Sequence, residues 1–173
     1  MVAVLATATG CASSPRPIDP VPHDAATGGQ TLQQMTNSLD TIPGLSWDVT
    51  GGGRPNIKGN TGYAVHVTVQ PGHRIVDGPA LVTFILESVW SVREGYLPNS
   101  EVSISVDAGT GSAFDVAAAA ADAGWTDPAD APPDASGYTR AAVVMDDDSP
   151  ARERLGGWPG DVPAVPADVT ATE

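Results

Sequence analysis

The chain has 173 residues, of which 41% are hydrophobic and 5% aromatic, and this apolar content suffices for one modest core rather than two full domains. Asp and Glu number 21 against 8 Lys and Arg, and the resulting net charge of -13 disfavours nucleic acid as a partner because an acidic surface repels phosphate backbones and anionic lipid headgroups. The single cysteine excludes an internal disulfide and a zinc site built from several thiolates, and no apolar run approaches the roughly 20 residues of a membrane-spanning helix.

That cysteine stands in a distinctive N-terminal setting. An apolar stretch, Val2–Leu5, runs into the small residues Ala8–Gly10, and Cys11 and a polar segment follow. This arrangement resembles the end of a bacterial lipoprotein signal peptide, and the preference for arginine over lysine is similar to that of small acidic lipoproteins of high-GC Gram-positive bacteria. The resemblance implies a signal remnant over residues 1–11, acyl chains on Cys11, and a lipid anchor on the extracytoplasmic face of the cell membrane. A start site upstream of Met1 would supply the basic residues that usually open such a signal.

Two segments with few large apolar residues flank the central part of the chain. Residues 12–30 contain several prolines and predict a flexible tether. Residues 159–173 have a similar composition and predict a disordered tail. A single folded domain is therefore expected over residues 31–158.

The first predicted helix begins after Thr31, because apolar residues then recur at helical spacing, and it ends at Pro43-Gly44. A short strand around Trp47 and a clear alternating strand over Tyr63–Val69 follow. The glycine-rich segment Gly51–Asn60 between them predicts a hairpin loop. It resembles a phosphate-binding loop in its glycines and in the cations Arg54 and Lys58, but it lacks the motif order and is followed by a strand instead of the helix that would bind an anion.

The second predicted helix is strongly apolar, with Asp77 as its N-cap and Pro79 in its first turn. A third strand alternates over Glu101–Asp107. Ser112 and Asp115 have the spacing of a capping box at the start of an alanine-rich third helix. A last strand over residues 138–145 and a short helix after residue 149 complete the domain.

This order predicts an α+β fold, a two-layer sandwich with a mostly antiparallel sheet of about four strands and helices on one face. The step from the second strand across the second helix to the third strand predicts a right-handed crossover. The outline is ferredoxin-like, and the junction Ile42-Pro43-Gly44-Leu45 is similar to the same junction in heavy-metal-associated domains. The metal-binding cysteine pair of that family is absent, so its function does not transfer.

Familiar catalytic and metal-binding motifs are missing from the sequence. His23, His66 and His73 are the only histidines, and none has a second ligand at zinc-site spacing, so no metal or other cofactor is expected. No Gly-x-Ser-x-Gly elbow occurs, and a Ser/His/Asp trio would have to combine His66 with Ser103 and Asp48 across different strands.

Two groups of aspartates offer carboxylate oxygens to a hard cation. They are Asp146–Asp148 at the end of the last strand, and Asp127, Asp130 and Asp134 in the preceding loop. Calcium requires several such oxygens in one place, but the EF-hand spacing is absent. Solvation, and favourable negative charge at the start of the short helix, account for these residues better than a cation site does.

The polar side of the predicted sheet remains as a candidate binding face, because an uncovered sheet face can serve as a docking surface. Its predicted members are Asp48, His66, Thr68, Gln70, Ser103 and Ser105. The sequence thus predicts a non-catalytic, membrane-anchored lipoprotein that acts as a binding or structural module of the cell envelope, with an envelope protein or a cell-wall component as partner. The alternatives are a secreted hydrolase with a dispersed site on the polar face and a calcium-binding adhesive domain.

Overall fold

The structure is a computed structural model that describes residues 21–128 and 136–173. Cys11 and the first part of the predicted tether lie outside these residues, as do Asp130 and Asp134. The elements in chain order are α1 (Leu32–Leu39), β1 (Leu45–Gly51), β2 (Tyr63–Val69), β3 (His73–Ile75), α2 (Gly78–Trp90), β4 (Glu101–Asp107), α3 (Val116–Asp122), β5 (Tyr138–Val144), α4 (Pro150–Leu155) and β6 (Thr170–Thr172).

The main sheet has four strands in the order β1-β2-β4-β5. β1 and β2 form the predicted antiparallel hairpin, and β4 pairs antiparallel with β5. The central pair, β2 and β4, is parallel, because α2 carries the chain back between them. The α+β class is therefore confirmed with a mixed sheet, and β3 and β6 form a separate two-stranded ribbon.

Most helices begin at the N-cap residues that the sequence predicted. Thr31 makes a full capping box with Gln34, and Asp77 accepts a hydrogen bond from the backbone N–H of Ala80 at 3.0 Å. The predicted start of α3 is wrong by three residues. Its N-cap is Asp115, whose carboxylate accepts from Ala117 N–H, whereas the hydroxyl of Ser112 accepts from Phe114 N–H and belongs to the preceding loop.

The four strands alternate between a buried and an open face. Val65 and Val67 in β2, Ile104 in β4 and Val143 in β5 are fully buried and join the apolar residues of α1, α2 and α3 in one core cluster. The intervening residues point to the opposite side of the sheet and are mostly polar. The helices therefore pack on one face and leave the other to solvent.

Helix α2 is buried on nearly all of its sides. A helix with apolar side chains on all sides must pack against other parts of the chain on all sides to exclude water from them. Beyond the sheet and α3, the two terminal segments of the described chain supply this cover at the C-terminal end of α2. Gly160 N–H donates to the carbonyl of Trp90 at 3.2 Å, and Gln30 N–H donates to the carbonyl of Ser91 at 2.8 Å.

The boundaries predicted for the tether and the tail are consequently wrong where the structure describes them. Residues 159–173 are not a disordered tail, because Val169 is only 2% exposed and β6 pairs with β3. The tether does not extend to residue 30, because Gln30 is buried and His23 forms a β-bridge with Tyr96. The folded body therefore includes residues 21–30 and reaches the end of the chain.

Across the two described stretches, no helix combines the length and the apolar character that crossing a bilayer requires.

The position of Val169 allows a direct test of the folded C-terminal segment. We expect Val169→Ala to lower the free energy of unfolding by about 2 kcal/mol, because it removes buried methyl groups and leaves a cavity. Val165→Ala is the matched control in the same segment, since Val165 is 42% exposed, and its effect should stay within about 0.5 kcal/mol. Urea denaturation measures both values, and equal, negligible effects would contradict the packing described above.

Candidate functional site

The strand register brings the predicted face residues together. Asp48, His66 and Ser105 are direct neighbours in one row across β1, β2 and β4. Thr68 and Ser103 lie on the same face in the adjacent rows, by the two-residue alternation of each strand. Gln70 lies just beyond β2, and its side-chain amide donates to the hydroxyl of Ser46 at 2.9 Å. The placement of all six residues on one face is thus observed, while their binding role stays a prediction.

The histidine on this face pairs with a different serine from the one that the sequence suggested. Nδ1 of His66 lies 2.9 Å from Oγ of Ser105, and Nε2 lies 3.4 Å from Oγ1 of Thr68. Ser103 instead accepts a hydrogen bond from Arg140. Within the parts of the chain that the structure describes, no hydrogen bond joins Asp48 to His66. The trio of His66, Ser103 and Asp48 is therefore not assembled.

Arg140, which the sequence reasoning missed, is a central residue of the face. It continues the row of His66 and Ser105 into β5, its Nε donates to Oγ of Ser103 at 2.9 Å, and its Nη2 lies 3.5 Å from Oε1 of Glu101. These two contacts hold the guanidinium along β4. The alternation of the last strand could have predicted this position. Tyr138 and Arg140 are two residues apart and alternate with the buried residues of β5, so both lie on the open face.

An open depression of about 750 Å³ lies on this face. Arg140, Glu101, Ser103 and Tyr138 line it along the strands, and Asn56 and Asn60 line it from the glycine-rich loop. The charges of Arg140 and Glu101 offset each other, and the remaining polar groups are hydroxyls and amides. This lining suits hydrogen bonding to a polar ligand with no strong net charge.

The glycine-rich loop beside the depression has a defined structure. Oδ1 of Asn56 accepts from the N–H groups of Lys58 and Asn60, at 2.8 and 3.1 Å. Asn99 fastens the loop to the domain, accepting from Thr61 N–H at 2.7 Å and donating to the carbonyl of Gly59 at 2.9 Å. The amide side chains thus replace the backbone pairing that a tight hairpin would provide.

A second groove, of about 660 Å³, lies at the opposite end of the sheet. It is lined by the Pro71-Gly72 turn after β2, by His73 and Arg74 of β3, and by the loop Gly109–Ser112 between β4 and α3. This second glycine-containing loop was not predicted as a site from the sequence. The following helix, α3, has seven residues, so it provides little of the dipole that strengthens anion binding.

The remaining sequence candidates lie apart from the polar face. His23 forms an exposed ion pair with Asp24 at 3.0 Å, and Asp147 pairs with Arg152 of α4. Among residues 21–128 and 136–173, no three His, Cys, Asp or Glu side chains come together to hold a metal ion.

No protein-family model matches this chain, and neither does any curated protein or solved structure.

Tyr63 borders the depression from the buried side of β2. Burial raises the pKa of its phenol to about 12, and the nearby charge of Glu94 adds to the rise. The folded protein therefore holds the phenolic proton more tightly than the unfolded chain, whose tyrosines titrate near pH 10.

This difference makes stability fall at high pH. The contribution is fully present below about pH 10 and is lost as the pH rises through about 12, for a total of about 2 to 3 kcal/mol. We expect Tyr63→Phe to remove that part of the alkaline loss when the free energy of unfolding is measured across this range. An alkaline loss of the same size in Tyr63→Phe as in wild type would contradict the assignment.

Proposed function

We propose that the protein is a non-catalytic lipoprotein, held on the extracytoplasmic face of a bacterial membrane by acyl chains on Cys11. It acts as a binding or structural module of the cell envelope. One observation carries the binding role: no helix of the described chain covers the polar face of the sheet, on which only Ser103 is buried, beside Arg140, while the other face packs against the helices. The lipobox-like residues before Cys11 support the anchor.

The polar face is suited to a polar partner such as an envelope protein or a cell-wall component. Its side chains stand on paired strands, and hydrogen bonds hold Arg140 and His66 in place before any partner arrives. Groups that are already ordered lose less conformational entropy on binding. The binding face of this proposal comprises Asp48, His66, Thr68, Gln70, Ser103 and Ser105, and we extend it with Arg140 and Tyr138.

A secreted hydrolase is the second candidate, on the strength of the contact between His66 and Ser105. A serine nucleophile needs a base that a third group orients. In this face the second ring nitrogen of His66 has the hydroxyl of Thr68 as its neighbour, rather than a carboxylate. This arrangement favours a structural hydrogen bond, and the binding module is therefore our first choice.

The two candidates differ in a simple assay. If the protein is not a hydrolase, purified wild type should release 4-nitrophenol from 4-nitrophenyl acetate no faster than Ser105→Ala does. Ser103→Ala is the matched control, because it removes a hydroxyl from the neighbouring row of the same face. A rate that Ser105→Ala abolishes and Ser103→Ala preserves would favour the hydrolase.

Two narrower interpretations stay predictions. The ferredoxin-like outline rests on the packing of the helices against one sheet face, and the parallel pairing of β2 with β4 counts against it. The calcium-binding adhesive domain is also untested, since two of its aspartates, Asp130 and Asp134, lie outside the described residues.

The anchor is tested by metabolic labelling with a fatty-acid analogue in the native host. We expect wild-type protein to carry the label and to sediment with membranes, and Cys11→Ala to lose both properties. Ser13→Ala keeps the thiol and should remain labelled. Label on Cys11→Ala, or on neither protein, would refute acylation at Cys11.

A further inference from the structure

The tip of the glycine-rich loop exposes an isolated apolar side chain. Ile57 is 94% exposed, more than any other large hydrophobic residue that the structure describes. The neighbouring hydrogen bonds of Asn56, to the amides of Lys58 and Asn60, define the turn that presents it. Transfer of this side chain from water into an apolar phase would lower the free energy.

The same loop concentrates positive charge in a strongly acidic protein. Arg54 and Lys58 flank Ile57, and neither forms an ion pair within the described chain. The stretch from residue 49 to residue 76 contains no Asp or Glu. The acidic body as a whole repels anionic headgroups, but salt screens charges beyond roughly 8 Å at physiological ionic strength, so the charges nearest the loop matter most. The carboxylate of Glu101, which lines the same depression as Asn56 and Asn60, is paired with Arg140.

The described chain begins at the end of the domain that carries this loop. Leu97 N–H donates to the carbonyl of Pro22 at 3.0 Å, and the next contact along the chain joins Tyr96 N–H to the carbonyl of Gly52 at 2.9 Å. Val21 therefore lies at the end of the sheet from which the loop projects. Ten residue steps separate Val21 from Cys11, a reach of about 35 Å at most.

We infer that the loop Gly53–Asn60 docks on an anionic lipid surface, with Ile57 in the interfacial layer and Arg54 and Lys58 against lipid phosphates. The inference rests on the proposed anchor at Cys11, which would keep this end of the domain nearest the bilayer. Basic residues close to anionic lipids and a shallowly inserted apolar side chain add their attractions. The second groove lies farther away by the length of a strand, about 23 Å for seven residues, and faces away from the membrane.

The test uses the full chain coupled through the Cys11 thiol to a maleimide lipid, so that it does not depend on acylation in the cell. The vesicles contain phosphatidylcholine with phosphatidylglycerol, and hydrogen exchange of the Gly53–Asn60 amides is compared with that of the uncoupled protein. We expect exchange in this loop to slow by about tenfold, the effect of a modest favourable contact. The loop Gly109–Ser112 should keep its rate.

Matched substitutions separate docking from general proximity. Ile57→Asp, and the double change Arg54→Gln with Lys58→Gln, should abolish the slowing. Val165→Asp, at another exposed aliphatic residue, and Arg74→Gln, at another exposed arginine, should preserve it. All five sites are exposed, so melting temperatures should match wild type.

Equal exchange on and off the vesicles would overturn the inference, as would slowing that Ile57→Asp leaves intact. Slowing of the same size on pure phosphatidylcholine would refute the role assigned to the two cations. Failure of the metabolic label with a positive vesicle result would remove the natural anchor and leave the docking loop in place, so the two proposals fail separately.

Discussion

The lack of a polar side on α2 constrains the whole fold. Nine of its thirteen residues, from Gly78 to Trp90, are buried, and they include a serine as well as the large apolar side chains. One sheet face and one neighbouring helix cannot enclose such a cylinder. The chain completes the enclosure with its two terminal segments, which meet where Gly29 and Pro159 lie beside Ser91 and Trp90. Segments that are rich in proline and poor in large apolar residues become ordered because α2 gives them a surface to cover.

This arrangement places all of the cover on one side of the sheet and leaves the other side polar. On that open side the rows of the sheet join residues that are far apart in sequence, such as His66 and Ser105 or Ser103 and Arg140. The loop between β1 and β2 extends past the end of the sheet and carries Ile57 at its tip. The open face and the loop are both accessible to partners, and the N-terminal segment enters the domain at the end that bears the loop.

The elements that were predicted correctly are those whose signals are local. Alternation in Tyr63–Val69 and Glu101–Asp107 specified two strands, and a cap followed by proline specified the start of α2 at Asp77. β3 and β6 have three residues each, too few for a periodic pattern, and they exist because each pairs with the other across nearly a hundred residues. Composition suggested a disordered tail because the segment itself contains few large apolar residues. Composition carries no information about an apolar surface elsewhere in the fold against which the segment can pack.

The site was predictable to a similar extent. Alternation placed six polar residues on one face, but the choice of Ser105 over Ser103 as the neighbour of His66 depends on the parallel register of β2 and β4, which no local pattern contains. Arg140 was missed because the last strand was predicted only as a range, with no assignment of its residues to the two faces of the sheet. The exposure of Ile57 depends on the turn that the side chain of Asn56 defines. Because the sequence does not show that turn, Ile57 was not distinguished from the other loop residues.

Amide exchange measured by NMR tests the enclosure of α2 most directly. The N–H groups of Gln30, Gly160 and Val76 donate to Ser91, Trp90 and Val169, and these hydrogen bonds join the terminal segments to α2 and to the chain just before it. We expect these three amides to exchange as slowly as the amides of the central strands β2 and β4, because each should exchange only when the whole domain unfolds. Exchange at the rate of an unstructured peptide, while β2 and β4 remain protected, would show that α2 folds without them and would contradict the account.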